Sequence, residues 1–360
     1  MNIGVPKESR PSEYRVGLPP SGVQTLSKNG HTCYVEHNAG LHSGFTDQDY
    51  EVAGGLIVFS AHEALGRADL VLKFSRPSDD ELEMLQSGIT VCGFLHLAAA
   101  PQSKIDQLLE KKITTIAYEQ IQEENGERPV LRTMSEIGGR LVAQVASHQL
   151  QNNSGGKGIL LGGAAGVPPA EVVIIGAGTF GHFATYAFSR TGAQVAVLDI
   201  DHNALVRIEN QFPHVVTMFA TEANITRCVT YADVVISAPA MPGQISPVII
   251  TREMLRLMKP RSIIIDVSID QGGSLETSRP TTHDNPSFIE EGIIHVCVPN
   301  LSSVIARTAT NAFYNSAQPY IHLLANLGTN KAVKQHTAIA NAVNTHQGKV
   351  NNLKRLSLKS

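Results

Sequence analysis

The sequence predicts an α/β protein made of two Rossmann-like domains, each a mostly parallel sheet with helices on both faces. Three observations carry this. Short β-branched runs alternate with amphipathic segments, a strand, glycine turn and helix follow one another across residues 171–191, and 360 residues are too many for one ordinary core. In the first stretch, Thr32–Glu36 and residues 70–74 and 89–95 read as strands, and residues 21–29 and 103–112 carry helical spacing. Met1-Asn2-Ile3-Gly4-Val5-Pro6 reads as a strand entering a fold, without the charged region and apolar run of a signal peptide. Residues 134–150 read as a long helix, broken by the turn formers of 151–158. Strands are expected at 171–175, 194–199, 234–237 and 262–267, a helix at 179–191, and a helical return from about Ala306 through 320–327. The expected division is 1–130 with 305–360 as one domain and 131–304 as a nucleotide-binding domain inserted into it.

Composition narrows the partners. Hydrophobic residues make up 42% and charged residues 17%, the balance of a folded globular chain. A net charge of −3 gives no electrostatic reason to expect nucleic acid or an anionic membrane as partner. No apolar stretch reaches the roughly 18 to 20 residues of a spanning helix. Cys33, Cys92, Cys228 and Cys297 are scattered, with no ligand spacing. They are expected to be buried free thiols in a reducing cytoplasm, with no disulfide and no metal site.

The most informative segment is Gly176-Ala177-Gly178-Thr179-Phe180-Gly181, a GxGxxG pattern between a buried strand and an apolar helix. The first glycine permits the tight turn, the second lets backbone approach a pyrophosphate, and the third lets helix and strand pack closely. The helix N-terminus offers bare N–H groups and a positive dipole end to phosphate. Asp199 ends the next strand. A carboxylate there accepts hydrogen bonds from ribose hydroxyls and repels a 2′-phosphate, so NAD is the expected cofactor.

A nucleotide site does not name a reaction. Further candidates are charged residues at strand ends: Arg15, Lys73, His96 and Asp270, the last with the alternative of capping the turn before Gly272-Gly273. Two cations, an imidazole and a carboxylate suit a small anionic substrate. Asp266 reads as structural.

These segments, in this order, resemble the family of alanine dehydrogenase and the first domain of proton-translocating nicotinamide nucleotide transhydrogenase. The carriers include Gly4-Val5-Pro6-Lys7-Glu8, Glu13-Tyr14-Arg15-Val16, Phe94-Leu95-His96-Leu97-Ala98-Ala99 and Met134-Ser135-Glu136. Val173-Ile174-Ile175-Gly176-Ala177-Gly178, Val197-Leu198-Asp199-Ile200, Asp266-Val267-Ser268-Ile269-Asp270-Gln271-Gly272-Gly273 and the segment from Glu276 to His283 continue it. The resemblance implies that Arg15 and Lys73 hold the carboxylate and carbonyl oxygens of a 2-oxo acid. It implies that His96 polarises the carbonyl and carries a proton, and that Asp270 handles the water and ammonia steps beside the nicotinamide. Ser135 is implied at the cofactor phosphates, Ala238 near the nicotinamide, and Asn300 toward nicotinamide and substrate.

The walls depart from the family pattern. Lys-Val-Lys-Glu-Pro becomes Lys73-Phe74-Ser75-Arg76-Pro77, and Gly-Ala-Val-Leu-Val-Pro-Gly becomes Ser237-Ala238-Pro239-Ala240-Met241-Pro242-Gly243. The closing loop reads Asn300-Leu301-Ser302-Ser303-Val304-Ile305-Ala306-Arg307-Thr308 and lacks both family prolines, which predicts a less rigid loop. The expected function is NAD-dependent oxidative deamination of L-alanine to pyruvate and ammonia. The alternatives are a related oxidoreductase for a different small amino or imino acid, and a soluble NAD-binding subunit of a transhydrogenase. The resemblance further implies a homo-oligomer, commonly a hexamer.

Overall fold

The computed structural model describes residues 1–239 and 245–354. It divides into two compact units, Met1–Met134 with Ser303–Ser360, and Ser135–Ser302. The first unit contains strands β1 (Asn2–Val5), β2 (Thr32–Glu36), β3 (Leu56–Val58), β4 (Leu70–Ser75), β5 (Thr90–Phe94) and β6 (Thr114–Ala117). The second contains β7 (Glu171–Ile175), β8 (Gln194–Asp199), β9 (Val216–Phe219), β10 (Val234–Ser237), β11 (Ile263–Asp266), β12 (Ser287–Glu290) and β13 (Ile293–Val296). The C-terminal segment returns to the first unit as helix Ala306–Leu327 and then adds β14 (Val343–His346) and β15 (Lys349–Val350). The sequence indicated the helix but not these two strands, which are short and polar.

The second sheet has the order β12-β13-β11-β10-β7-β8-β9, parallel except for β12. Counted from β7, the parallel strands run 3-2-1-4-5-6, the doubly wound order of dinucleotide-binding sheets. The first sheet, β15-β14-β6-β5-β4-β1-β2-β3, repeats that order over β1 to β6 and continues with antiparallel β14 and β15. Strands β4, β5, β10 and β11 are buried along their whole length, as expected for a parallel sheet covered on both faces. All four cysteines are buried free thiols. No helix among the described residues is long and apolar enough to cross a membrane.

The core of the first unit centres on an aromatic cluster. Phe313 of the C-terminal helix lies 5.0 Å from the ring of Phe74 on β4, 5.0 Å from Tyr118 and 6.0 Å from Phe94 on β5. Phe313 is fully buried, so its removal leaves a cavity that rigid strands do not close. Phe313→Ala is expected to destabilise the protein by about 3–5 kcal/mol, measured by urea unfolding. A change below about 1 kcal/mol would mean the cluster does not anchor the helix.

Candidate active site

In a doubly wound sheet, ligands bind beyond the carboxyl ends of the strands, where the strand order reverses. In the second unit that point lies between β7 and β10. Gly176 follows β7 with φ +105°, and a Cβ on it would stand 2.3 Å from the carbonyl oxygen of Ala238, the residue after β10. A Cβ on Gly181 would stand 1.7 Å from the Gly176 carbonyl oxygen, so helix Thr179–Arg190 can start against the strand only with glycine there. Gly178 is different. It is exposed, and a Cβ there would meet nothing within 4 Å, which leaves space for a ligand over the backbone.

Gly178 is also the helix N-cap, and it supplies no side-chain hydrogen bond. The first N–H groups of the helix therefore need an outside acceptor, which a pyrophosphate provides. Asp199 ends β8, half-buried. Its carboxylate accepts from the Ala177 N–H, and its Oδ1 accepts from Asp201 N at 2.8 Å. A carboxylate offers about four acceptor sites, so ribose hydroxyls can still be accommodated. These residues fit NAD. Thr179 opens the helix. The ring of Phe180 packs on Gly138 of the long helix Pro129–Gln149, a packing role beside its place in the motif. Ser135 is half-buried on that same helix. Ala240 and Met241 lie outside the described residues.

Asp270 sits exposed in the turn Ile269–Gln271, beyond β11. It does not cap that turn. Its Oδ2 instead faces the backbone N–H of Asn300 at 3.4 Å, and Asn300 holds φ +52°. Beneath it, Asp266 organises the loop. Its carboxylate accepts from Ser268 N at 3.0 Å, Ser274 N at 2.8 Å, Ser274 Oγ at 2.9 Å and Ser278 Oγ at 2.5 Å. Asp266 is thus the support and Asp270 the presented group. After Asn300 the chain forms a short 3-10 helix, Leu301–Ile305.

In the first unit the order reverses between β1 and β4. The segment after β1 crosses β4 so closely that a Cβ on Gly17 would lie 2.2 Å from the Leu72 carbonyl oxygen. This crossing sets the Arg15 guanidinium 3.7 Å above the Phe74 ring. Arg15 is buried and grips Glu13 through both Nε (2.6 Å) and Nη2 (2.5 Å), a forked pairing that fixes its plane.

Lys73 lies among acids. Its ammonium is only 1% exposed and is held by Glu81 at 2.7 Å and Glu8 at 3.2 Å. Burial opposes its charge, but the two carboxylates outweigh burial and raise its pKa. Burial also pushes the Glu8 carboxyl above its usual range. Glu8 further accepts from Phe74 N at 2.6 Å and from the Ser75 hydroxyl. Lys73 thus belongs to a buried three-charge cluster whose acids come from outside the strand.

His96 follows β5 with φ 43° and ψ 44°, a left-handed conformation that costs a non-glycine residue about 1–3 kcal/mol. Its imidazole is half-exposed and stacks on Phe94 at 6.3 Å. Sequence reasoning missed Glu119, whose carboxylate accepts from His96 N at 2.7 Å and Leu95 N at 3.2 Å. A signal was present: Glu119 is an acid two residues beyond a short β-branched strand, as Asp270 lies beyond another strand.

The site residues therefore gather at the carboxyl ends of two sheets, each beside or near its reversal point. Family models match both stretches: alanine dehydrogenase/PNT, N-terminal domain, over residues 4–138, and its C-terminal domain over 142–353. The chain belongs to the alanine dehydrogenase/PNT family. Within it, the chain is 42% identical to the alanine dehydrogenase of Methanococcus maripaludis, over 97% of this chain and 94% of that one. It is 40% identical to that of Mycolicibacterium smegmatis over the same shares. Among solved structures, an L-alanine dehydrogenase superposes with a TM-score of 0.92 at 39% identity, covering 97% of this chain and 96% of the other. A transhydrogenase from Sinorhizobium meliloti superposes with 0.83 at 26% identity, covering 98% and 100%. The family membership and the two-domain α/β architecture anticipated from the sequence both hold.

The Lys73 cluster yields a direct test. Lys73→Met leaves two buried carboxylates without their cation, which is expected to cost about 3–5 kcal/mol of stability. Without the ammonium, burial favours the protonated form of the Glu8 carboxyl still more. The loss should be larger at pH 8, where that carboxyl must ionise, than at pH 5, where a proton relieves it. Urea unfolding at the two pH values measures it. An unchanged stability at both pH values would mean the cluster does not depend on the ammonium.

Proposed function

We propose that this protein catalyses the reversible, NAD-dependent oxidative deamination of L-alanine to pyruvate and ammonia. The observation that carries the reading is the near-full-length similarity to alanine dehydrogenases, 42% identical over 97% of the chain, with His96 and Asp270 each presented in a loop beyond a strand end. In balance, L-alanine, NAD⁺ and water give pyruvate, ammonium, NADH and a proton. NAD, when bound, supplies the hydride acceptor for the Cα–H.

The chain's own groups divide the remaining work. The Arg15 guanidinium, fixed by Glu13 and Phe74, takes the substrate carboxylate. The His96 imidazole polarises the carbonyl and accepts and returns the proton on the oxygen that becomes the pyruvate carbonyl oxygen, the task for which an imidazole is suited near neutral pH. The Asp270 carboxylate directs water and ammonia, with the Asn300 backbone at its side. Ser135 and the N–H groups opening helix Thr179–Arg190 hold the cofactor phosphates, Asp199 its ribose, and Ala238 lines the approach to its nicotinamide. Lys73, fixed by Glu8 and Glu81, is read with Arg15 as a cation for the carboxylate and carbonyl oxygens of the substrate. The domains are read as 1–130 with 305–360 for the substrate and 131–304 for NAD. The protein is read as a homo-oligomer, hexameric as in its family, and as cytoplasmic, which its four buried thiols support.

A second reading keeps the chemistry and changes the amino acid. Its motive is the wall at residues 74–76, where Phe74 stacks with Phe94 at 5.2 Å and Arg76 adds a cation.

Absorbance at 340 nm distinguishes these readings. The purified protein is expected to form NADH from NAD⁺ with L-alanine, and to consume NADH with pyruvate and ammonium. His96→Ala should lower kcat/KM by about 10²-fold or more. No turnover with either pair, alongside turnover of another small amino or 2-oxo acid, would transfer the assignment to the second reading. Turnover of none of them would end both.

A further inference from the structure

The His96 peptide is held from both sides. Glu119 Oε1 accepts from the His96 N–H at 2.7 Å, and Oε2 accepts from the Leu95 N–H at 3.2 Å. On the carbonyl side, Arg76 Nη1 donates to the His96 oxygen at 3.1 Å and lies 3.4 Å from the Leu95 oxygen. The two consecutive residues thus have both N–H groups on one carboxylate and both carbonyls beside one guanidinium. Between these contacts the backbone sits at φ 43°, ψ 44°, where a residue with a Cβ stays only when its surroundings impose it. Glu119 is buried and Arg76 half-buried, so neither is a loose surface contact.

We propose that Arg76 and Glu119 are positioning residues, a clamp that holds the His96 peptide in its left-handed conformation and thereby aims the imidazole at the reacting atom. The proposal rests on the preceding reading of His96 as the proton carrier. Releasing a carbonyl or an N–H lets the peptide relax to the ordinary negative-φ basins, and the imidazole turns with it. An arginine at position 76 supplies donors to two carbonyls, which an ionised carboxylate there could not. The Arg76 Nε has no acceptor among the described residues, and burial pushes its pKa down to about 10, which leaves it protonated and donating at neutral pH. The guanidinium is thus held by backbone oxygens, with no carboxylate within ion-pair distance among the described residues.

Steady-state kinetics and amide hydrogen exchange on Arg76→Met, Arg76→Lys and Glu119→Gln test the clamp. For Arg76→Met, kcat with pyruvate and ammonium should fall about ten-fold or more, while KM for pyruvate and Kd for NADH stay within about two-fold. Exchange in the peptide spanning residues 93–100 should accelerate. Arg76→Lys should recover part of kcat, because one ammonium still reaches one carbonyl, and Glu119→Gln should fall between wild type and Arg76→Met. An unchanged kcat or unchanged exchange in Arg76→Met overturns the clamp. So does a raised KM with kcat intact, which would make Arg76 a substrate ligand. If Arg76→Met does not fold, the two conservative variants decide by the same readouts. If the wild type turns over neither alanine nor pyruvate, the functional reading fails by itself, and hydrogen exchange still decides the clamp.

Discussion

The contact on which the nucleotide unit depends is the approach of Gly176 to the carbonyl of Ala238. Two adjacent parallel strands send their following segments to opposite faces of the sheet at this point, and backbone must pass backbone with no side chain between. Glycine at 176 permits the passage, and glycine at 181 lets the next helix begin at once. The consequence is a helix start with no side-chain cap, aimed beyond the strand ends, with Asp199 alongside. The nucleotide-binding character follows from that geometry, because uncapped N–H groups at a helix start favour an anion. The first unit repeats the device. The close crossing of Gly17 over β4 is what lays Arg15 on Phe74.

Around these crossings, the charged groups separate into those presented and those buried as supports. Asp266 collects four donors and carries a loop that exposes Asp270. Glu119 and Arg76 bracket a peptide that exposes the His96 imidazole. Glu8 and Glu81 enclose Lys73, and Glu13 grips Arg15. In each pair a buried charge stays because its partner is fixed by a strand end or a neighbouring turn. Removing one partner leaves the other stranded in a poorly solvating interior.

The nucleotide unit was the more legible in the sequence. Residues 172–175 and 195–198 are buried, and their continuous apolar runs mark a parallel sheet. The glycines between them have steric reasons that the motif states directly. Strands β14 and β15 were invisible because they lie at the antiparallel border of the sheet, where Asn344, Thr345 and Lys349 carry no apolar pattern. At the site, Arg15, His96, Asp270 and Asp199 were legible as charges at strand ends. The environment of Lys73 was not. Its partners Glu8 and Glu81 come from a loop after another strand and from the following helix, and spacing along the chain does not reveal that they converge. Glu119 was missed for a related reason, since two of its contacts are to backbone N–H groups that no residue pattern encodes and its approach to His96 Nδ1, 3.8 Å, joins distant parts of the chain.

The account's central claim is that NAD lies over the Gly176–Gly181 turn, and Gly178 tests it most directly. A Cβ there meets nothing in the protein and φ is −62°, so Gly178→Val is expected to fold and melt like the wild type. The added side chain would occupy the space assigned to the pyrophosphate. Calorimetric titration should therefore find NADH binding weakened by about 10²-fold or more, equivalent to roughly 2.7 kcal/mol, with the melting temperature unchanged. Wild-type affinity for NADH in a fully folded Gly178→Val would contradict the account.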